Sequence, residues 1–254
     1  MKPRITYQPG SSIFHRLHPL VKGAWLLFGT IIVFVVPSPW VVFASVGLLL
    51  LAFSWAGLSL GQVRGTHLFI TTALLLGVLQ VLFVRQGAVL VRAGPLIVTA
   101  DGVEAGVYVA GRFISVVLLS YLFVLTTDPN DLAYALMRAG LPYRYGFALV
   151  TALRLVSVFE QEGQIVYNAQ LARGVQYDVR SPRRFLALAR QFFMPLLVSA
   201  LGKVDALAVS MEGRCFGKYP TRTFLREIHP TRLDVVAVIL LLLGVVAVVI
   251  CQIT

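Results

Sequence analysis

Four stretches of the chain, residues 19–36, 40–60, 66–84 and 235–254, are almost continuously apolar. Each approaches the roughly 17 to 25 apolar residues that a helix needs to cross a bilayer. A fifth, residues 102–127, has a similar length but carries Glu104 near its start and Arg112 inside. Hydrocarbon offers the backbone no water to bond, so runs of this kind are expected to be helices. Only Pro37, Ser38 and Pro39 separate the first two, which predicts a hairpin turn at one membrane face. Lys22, near the start of the first run, is expected to snorkel to the headgroups.

Between residues 126 and 233 the pattern changes to one of amphipathic helices. The stretch is too long for a plain connection and too apolar for a disordered one. "TTDPNDLAYALMRAGLP" predicts a short helix with Thr127 or Asp128 as N-cap, Pro129 in the first turn, Gly140 as terminator and Pro142 as the stop. From Tyr143 to about Ala172 a second pattern has Phe147, Val150, Leu153, Val158 and Ile165 among its apolar positions, and Arg154, Glu160, Glu162 and Gln164 among its polar ones. Ser181 and Pro182 open a third, which runs past Pro195, where a kink is expected, toward Gly213. The runs "GFALVTALRLVSVF" and "FLALARQFFMPLLVSAL" are shorter than a comfortable span and are interrupted by arginine. Helices lying in or beneath the interface fit them better than spans, which are the rival topology.

The expected fold class is therefore all-α: a polytopic membrane protein with about five transmembrane helices and long cytoplasmic amphipathic helices. Its expected organisation is membrane helices over residues 1–127 (about four spans), a cytoplasmic or interfacial region over 128–233, and a final transmembrane helix over 234–254. Composition points the same way, with 58% hydrophobic residues against 13% charged and a mean hydropathy of +0.83, outside the range of soluble domains. The first eighteen residues are mixed and polar, without the apolar run of a signal peptide.

Charge adds an orientation. Lys2, Arg4, Arg16, Lys22 and Arg64, together with the fourteen Lys and Arg of residues 126–233, fall on one face of the predicted topology, whereas only Arg85 and Arg92 fall on the other. The positive-inside rule then puts the N-terminus and the amphipathic region in the cytoplasm and the C-terminus outside. A basic surface there suits anionic lipid or an acidic protein partner; nucleic acid is not expected, because no binding module accompanies the charge.

Two short motifs stand out. "AQLARG" sets Arg173 between Ala172 and Gly174, and "MEGRCFG", 41 residues on, sets Arg214 between Gly213 and Cys215. Each arginine falls at the C-terminal end of a long helical pattern, facing the negative end of the helix dipole. Small neighbours let the backbone enter a groove on another surface. Taken singly, either is an ordinary helix-end charge, with Gly174 the ordinary terminator. Two on consecutive helices point to two matching sockets.

These residues also carry a resemblance. The opening "YQPGSSIFHRLHPLVK", the segment "TTDPNDLAYALMRAGLP" and the motifs "AQLARG" and "MEGRCFG" resemble the transmembrane T component of energy-coupling-factor transporters, the EcfT/CbiQ family of ABC-class importers. The resemblance implies a multi-pass subunit of a prokaryotic cell membrane that takes up a vitamin or a transition-metal ion such as cobalt or nickel. It implies as partners two cytosolic ABC ATPase subunits and a small substrate-binding membrane subunit, the S component. ATP and Mg would be handled in those ATPase chains and no cofactor in this one. Ala172, Arg173 and Gly174, and Gly213, Arg214 and Cys215, would dock into grooves on the two ATPases; Cys215 stands where the family usually has Gly or Ser.

Catalytic chemistry is not expected. The phosphate-cradling pattern G-x-x-x-x-G-K-[ST] is missing, since Gly202-Lys203 is followed by Val204 and Gly217-Lys218 by Tyr219. His15, His18, His67 and His229 form no ligand-like cluster with cysteine or acid, and Cys215 and Cys251 suggest no disulfide. Arg112, costly inside a membrane helix, is read as bonding backbone carbonyls or as touching another helix or subunit. The alternative to the scaffold reading is a self-contained carrier or membrane enzyme whose basic cytoplasmic face binds lipid.

Overall fold

The computed structural model describes residues 7, 10, 12–36, 39–58, 66–93, 96–175, 177, 181–219 and 230–253, with the backbone alone at 91–93, 96, 97 and 247–253. The turn expected at Pro37 and Ser38, together with Arg64, Asp178, Glu227, His229 and Thr254, lies outside the described residues. In chain order the elements are α1 (Ile13–Arg16), α2 (Pro19–Val35), α3 (Pro39–Trp55), α4 (Thr66–Phe83), β1 (Val89–Ala93), β2 (Leu96–Thr99), α5 (Ala100–Thr126), α6 (Pro129–Arg138), α7 (Tyr143–Ala172), α8 (Pro182–Gly213) and α9 (Arg232–Ile253). The protein is an all-α membrane protein. The small antiparallel hairpin, pairing Val89 with Thr99 and Ala93 with Leu96, is an addition to the expected pattern. Its sequence signal is two short runs rich in Val, Ile and Leu around Gly94 and Pro95.

Two units divide the chain, residues 1–135 with 228–254, and residues 136–227. In the first, α5 is the central helix, and α2, α3 and α4 all pack on it while α9 packs on α2. Leu49 and Phe53 of α3 meet Leu118, Tyr121 and Leu125 of α5 in a buried hydrophobic cluster. Where α4 crosses α5 the backbones nearly touch: a Cβ at Gly106 would lie 2.7 Å from the Gly77 carbonyl oxygen and 2.5 Å from a Val81 methyl. Apolar helices in lipid gain little from hydrophobic burial, so small residues that permit close approach hold such a crossing. Ser45 and Ser115 add a 2.9 Å hydroxyl pair between α3 and α5.

Polar groups in this unit tie helix ends rather than reach for solvent. The Lys22 Nζ donates to the Thr126 carbonyl at 2.7 Å and to the His15 carbonyl at 3.3 Å. The reason is the C-terminus of α5, whose last carbonyls have no helical donors and attract a cation. His18 caps α2, its Nδ1 accepting from the Leu20 N–H, and its own N–H donates to Asp234 at 2.6 Å. Arg112 donates to the Phe34 carbonyl at 3.1 Å and to the Tyr108 hydroxyl, with its guanidinium over both aromatic rings.

By length and composition α4, α5 and α8 are each able to cross a membrane, while α2 and α3, equally apolar, are shorter at 17 residues. In the second unit α7 and α8 pack on each other. Ser181 caps α8 through a 3.3 Å bond from the Arg184 N–H, with Pro182 at its first position. Pro195 lies inside a continuous helix. Asp128 caps α6, accepting from the Asn130 N–H at 2.8 Å, and Gly140 at φ +117° turns the chain after it.

Candidate functional site at two helix ends

Helices α7 and α8 run antiparallel. Glu162, late in α7, meets Ser199 and Lys203 of α8, whereas Gln170, later still, meets Gln191, which comes earlier in α8. At the opposite end, the residues following α8 pack on the start of α7: the Phe216 ring lies 4.5 Å from that of Phe147 and 5.7 Å from that of Tyr143, and Arg144 donates to the Gly217 carbonyl at 3.2 Å. The two arginine motifs therefore sit at opposite ends of one helical hairpin. With about 1.5 Å of rise per residue, the length of α7 sets them roughly 45 Å apart.

The two ends terminate in the same way. After α7, Gly174 adopts φ +81°, its N–H bonds the Leu171 carbonyl at 2.9 Å, and the Val175 N–H reaches back to the Gln170 carbonyl at 3.1 Å. After α8, Cys215 adopts φ +52°, its N–H bonds the Glu212 carbonyl at 2.9 Å, and the Phe216 N–H reaches back to the Met211 carbonyl at 2.9 Å. Both are left-handed helix terminations in which two otherwise orphaned carbonyls find donors. Arg173 and Arg214 occupy the equivalent capping position. Glycine holds the left-handed residue of the first turn freely; cysteine does so against a steric cost of roughly 1 kcal/mol.

All six motif residues, Ala172, Arg173, Gly174, Gly213, Arg214 and Cys215, are exposed. Among the described residues neither guanidinium has a hydrogen bond or an ion pair within the chain. A Cβ at Gly174 or at Gly213 would meet nothing within 4 Å. The motifs are thus open, narrow and cationic. The hairpin between them is braced by Glu162, which pairs with Lys203 at 2.8 Å and accepts from Ser199 at 3.2 Å. The Lys203 hydrogen bond, then that from Ser199, holds its carboxyl below the ordinary glutamate value. Sequence reasoning found the arginines but not the groups that place them. Phe216 and Arg144 have no local signature; Gln191 has one, since a proline four residues on deprives its carbonyl of a donor.

Much of the apolar surface of this hairpin is open, including Val156, Ile165, Phe185, Phe193, Leu197 and Val198. Among the described residues no group of three His, Cys, Asp or Glu side chains is placed to hold a metal ion.

Residues 10–225 match the CbiQ family, described as cobalt transport protein. The energy-coupling factor transporter transmembrane protein EcfT of Streptococcus equi subsp. equi is 30% identical over 251 residues, covering 93% of this chain and 91% of that protein. The protein of the same name from Lacticaseibacillus paracasei is 32% identical over 241 residues, 91% of each chain. A Bifidobacterium longum protein named for ABC transporter ATP binding is 28% identical over 252 residues, which are 94% of this chain but 32% of that protein.

Proposed function

The chain belongs to the EcfT/CbiQ family of transporter transmembrane components, and from that premise we propose that it is the scaffold of an energy-coupling-factor importer, joining two separate ABC ATPase chains to a small substrate-binding membrane subunit. The observation that carries this reading is the pair of matched, exposed arginine turns, unpaired among the described residues, at the two ends of one antiparallel hairpin. Two equivalent plugs suit a pair of like sockets. The Bifidobacterium longum relative, which carries this likeness in about a third of its length and is named for ATP binding, supports ATPase partners in this setting. ATP and Mg belong to those partners, and the transported vitamin or transition-metal ion is selected by the binding subunit.

The same reading decides how α8 lies. Although α8 is apolar enough to cross a membrane, its antiparallel partner α7, 30 residues long, is not among the helices that are. A crossing α8 would also carry Arg173 and Arg214 to opposite faces, out of reach of a common pair of cytosolic ATPases. We therefore place α7 and α8 along the cytoplasmic interface, with the N-terminus inside and the C-terminus outside as the charge distribution favours. Opening and closing of the ATPases would move the two ends of the hairpin, and its open apolar faces would tilt against the binding subunit.

Arg173→Ala and Arg214→Ala test this. Neither side chain has a described partner in its own chain, so both variants are expected to insert and fold normally. Losing a charge-assisted contact at a buried interface costs about 2 to 5 kcal/mol, so ATPase recovery and transport should fall at least tenfold, most in the double variant. Lysine should rescue only in part, because it lacks the planar fork that pairs two-pronged with a carboxylate. A double variant that recovers its ATPases stoichiometrically and transports normally would overturn the reading.

A further inference from the structure

We propose that Gln170 is a positioning residue: it holds the first arginine turn in register with α8 through the backbone carbonyl that Pro195 leaves without a donor. In an α-helix the carbonyl of residue 191 accepts from the N–H of residue 195, and proline has none. The Gln170 Nε2 donates to the Gln191 carbonyl oxygen at 3.2 Å. Gln170 is only 8% exposed, and with Gly146 it is one of the two buried residues of α7, whose others are half-buried or exposed. A buried amide on a largely exposed helix needs a partner, and the carbonyl that Pro195 leaves without its helical donor supplies one. Each satisfies the other.

The consequence follows from the backbone of the same residue. The Gln170 carbonyl accepts from the N–H groups of Arg173, at 3.2 Å, and Val175, at 3.1 Å. One residue therefore joins the interrupted point of α8 to the turn that presents Arg173. The second turn is built differently. Its equivalent residue, Met211, accepts from Arg214 and Phe216 through its backbone but has no side-chain amide to give, and Phe216 fixes that turn on the start of α7 instead. The two plugs share one shape but not one support: bending of α8 at Pro195 is felt directly by the first and not by the second. A role for this link in docking rests on the reading of Arg173 given above, whereas the link itself does not.

The test uses non-additivity. Gln170→Met keeps the volume and removes the donor; Pro195→Ala restores the helical N–H to the Gln191 carbonyl and so satisfies it without joining α7 to α8. Spin labels at the exposed Leu171 and Leu186, in the full chain with Cys215→Gly and Cys251→Ser, report the spacing of α7 and α8 by pulsed electron resonance without any partner present. Gln170→Met is expected to broaden the distance distribution, and with the native cysteines to lower ATPase recovery about fivefold, the scale of one lost hydrogen bond. The double variant should regain thermal stability, because its carbonyl is satisfied within α8, but keep the broad distribution, because no amide at position 170 then joins α7 to α8. A distribution unchanged by Gln170→Met, or a double variant as narrow as Pro195→Ala, overturns the proposal. If Gln170→Met fails to accumulate in membranes, the double variant should accumulate; its failure would equally overturn the link. Distances that obey this rule while neither Gln170→Met nor Arg173→Ala alters ATPase recovery would support the link and overturn the docking reading alone.

Discussion

Replacing Gly213 with leucine should strengthen the fold and weaken docking at once. Gly213 is the last residue of α8, in ordinary helical conformation, and a Cβ there would meet no atom of the chain within 4 Å. Glycine in a helix costs up to about 1 kcal/mol relative to a good helix former, and at a helix end part of that is recoverable. The purified chain in detergent should therefore melt at the same temperature as wild type or a little higher. If Gly213 lines a plug seated in a groove, four extra carbons must displace partner atoms, at a cost of about 1 to 3 kcal/mol. ATPase affinity should fall between about fivefold and a hundredfold, with no change in charge. Gly174 cannot give so clean a result, because its φ of +81° makes any side chain strained in this chain alone. The paired assays are a thermal melt of the isolated chain and co-purification with the ATPases. Wild-type affinity in a well-folded Gly213→Leu chain would show that the second motif does not enter a groove.

Three further outcomes are expected. Gly106→Ala should destabilise the membrane unit by at least about 1 to 3 kcal/mol, because its Cβ meets the Gly77 backbone, whereas Gly47→Ala, with open space around it, should be neutral or better; equal melting temperatures would refute the close crossing of α4 and α5. Glu162, its carboxyl held down by Lys203 and Ser199, contributes stability above its ordinary value of 4.5 that is lost as pH falls through the lower folded value. Melting of α7 and α8 should accordingly be flat near neutrality and decline only in acid, and Lys203→Met should flatten the acid limb; an unchanged limb would remove the pair from the account. With Cys251→Ser, an impermeant thiol reagent should reach the exposed Cys215 from the cytoplasmic side only, and not when ATPases are bound; labelling from outside would overturn the topology.

Local chemistry made the helices legible. The apolar runs appear as α2 to α5 and α9 because their lengths and the backbone's need for internal hydrogen bonds leave one outcome. Asp128 with Pro129, Ser181 with Pro182, and Gly140 mark helix ends because a cap acts on groups a few residues away, within reach of a sequence pattern. Gly174 announced a left-handed turn in the same manner. Cys215 did not, since a cysteine has no intrinsic preference for φ +52° and is held there by the turn around it. What the tertiary structure alone decided are the pairings of residues far apart in the chain: Lys22 with the end of α5, Gly77 with Gly106, Glu162 with Lys203, Gln170 with Gln191, and Phe216 with Tyr143. The two arginine motifs could be read as a repeat along the sequence. That they occupy opposite ends of one hairpin depends on the antiparallel packing of α7 on α8, a choice made by complementary surfaces across a turn and carried by no short pattern in either helix.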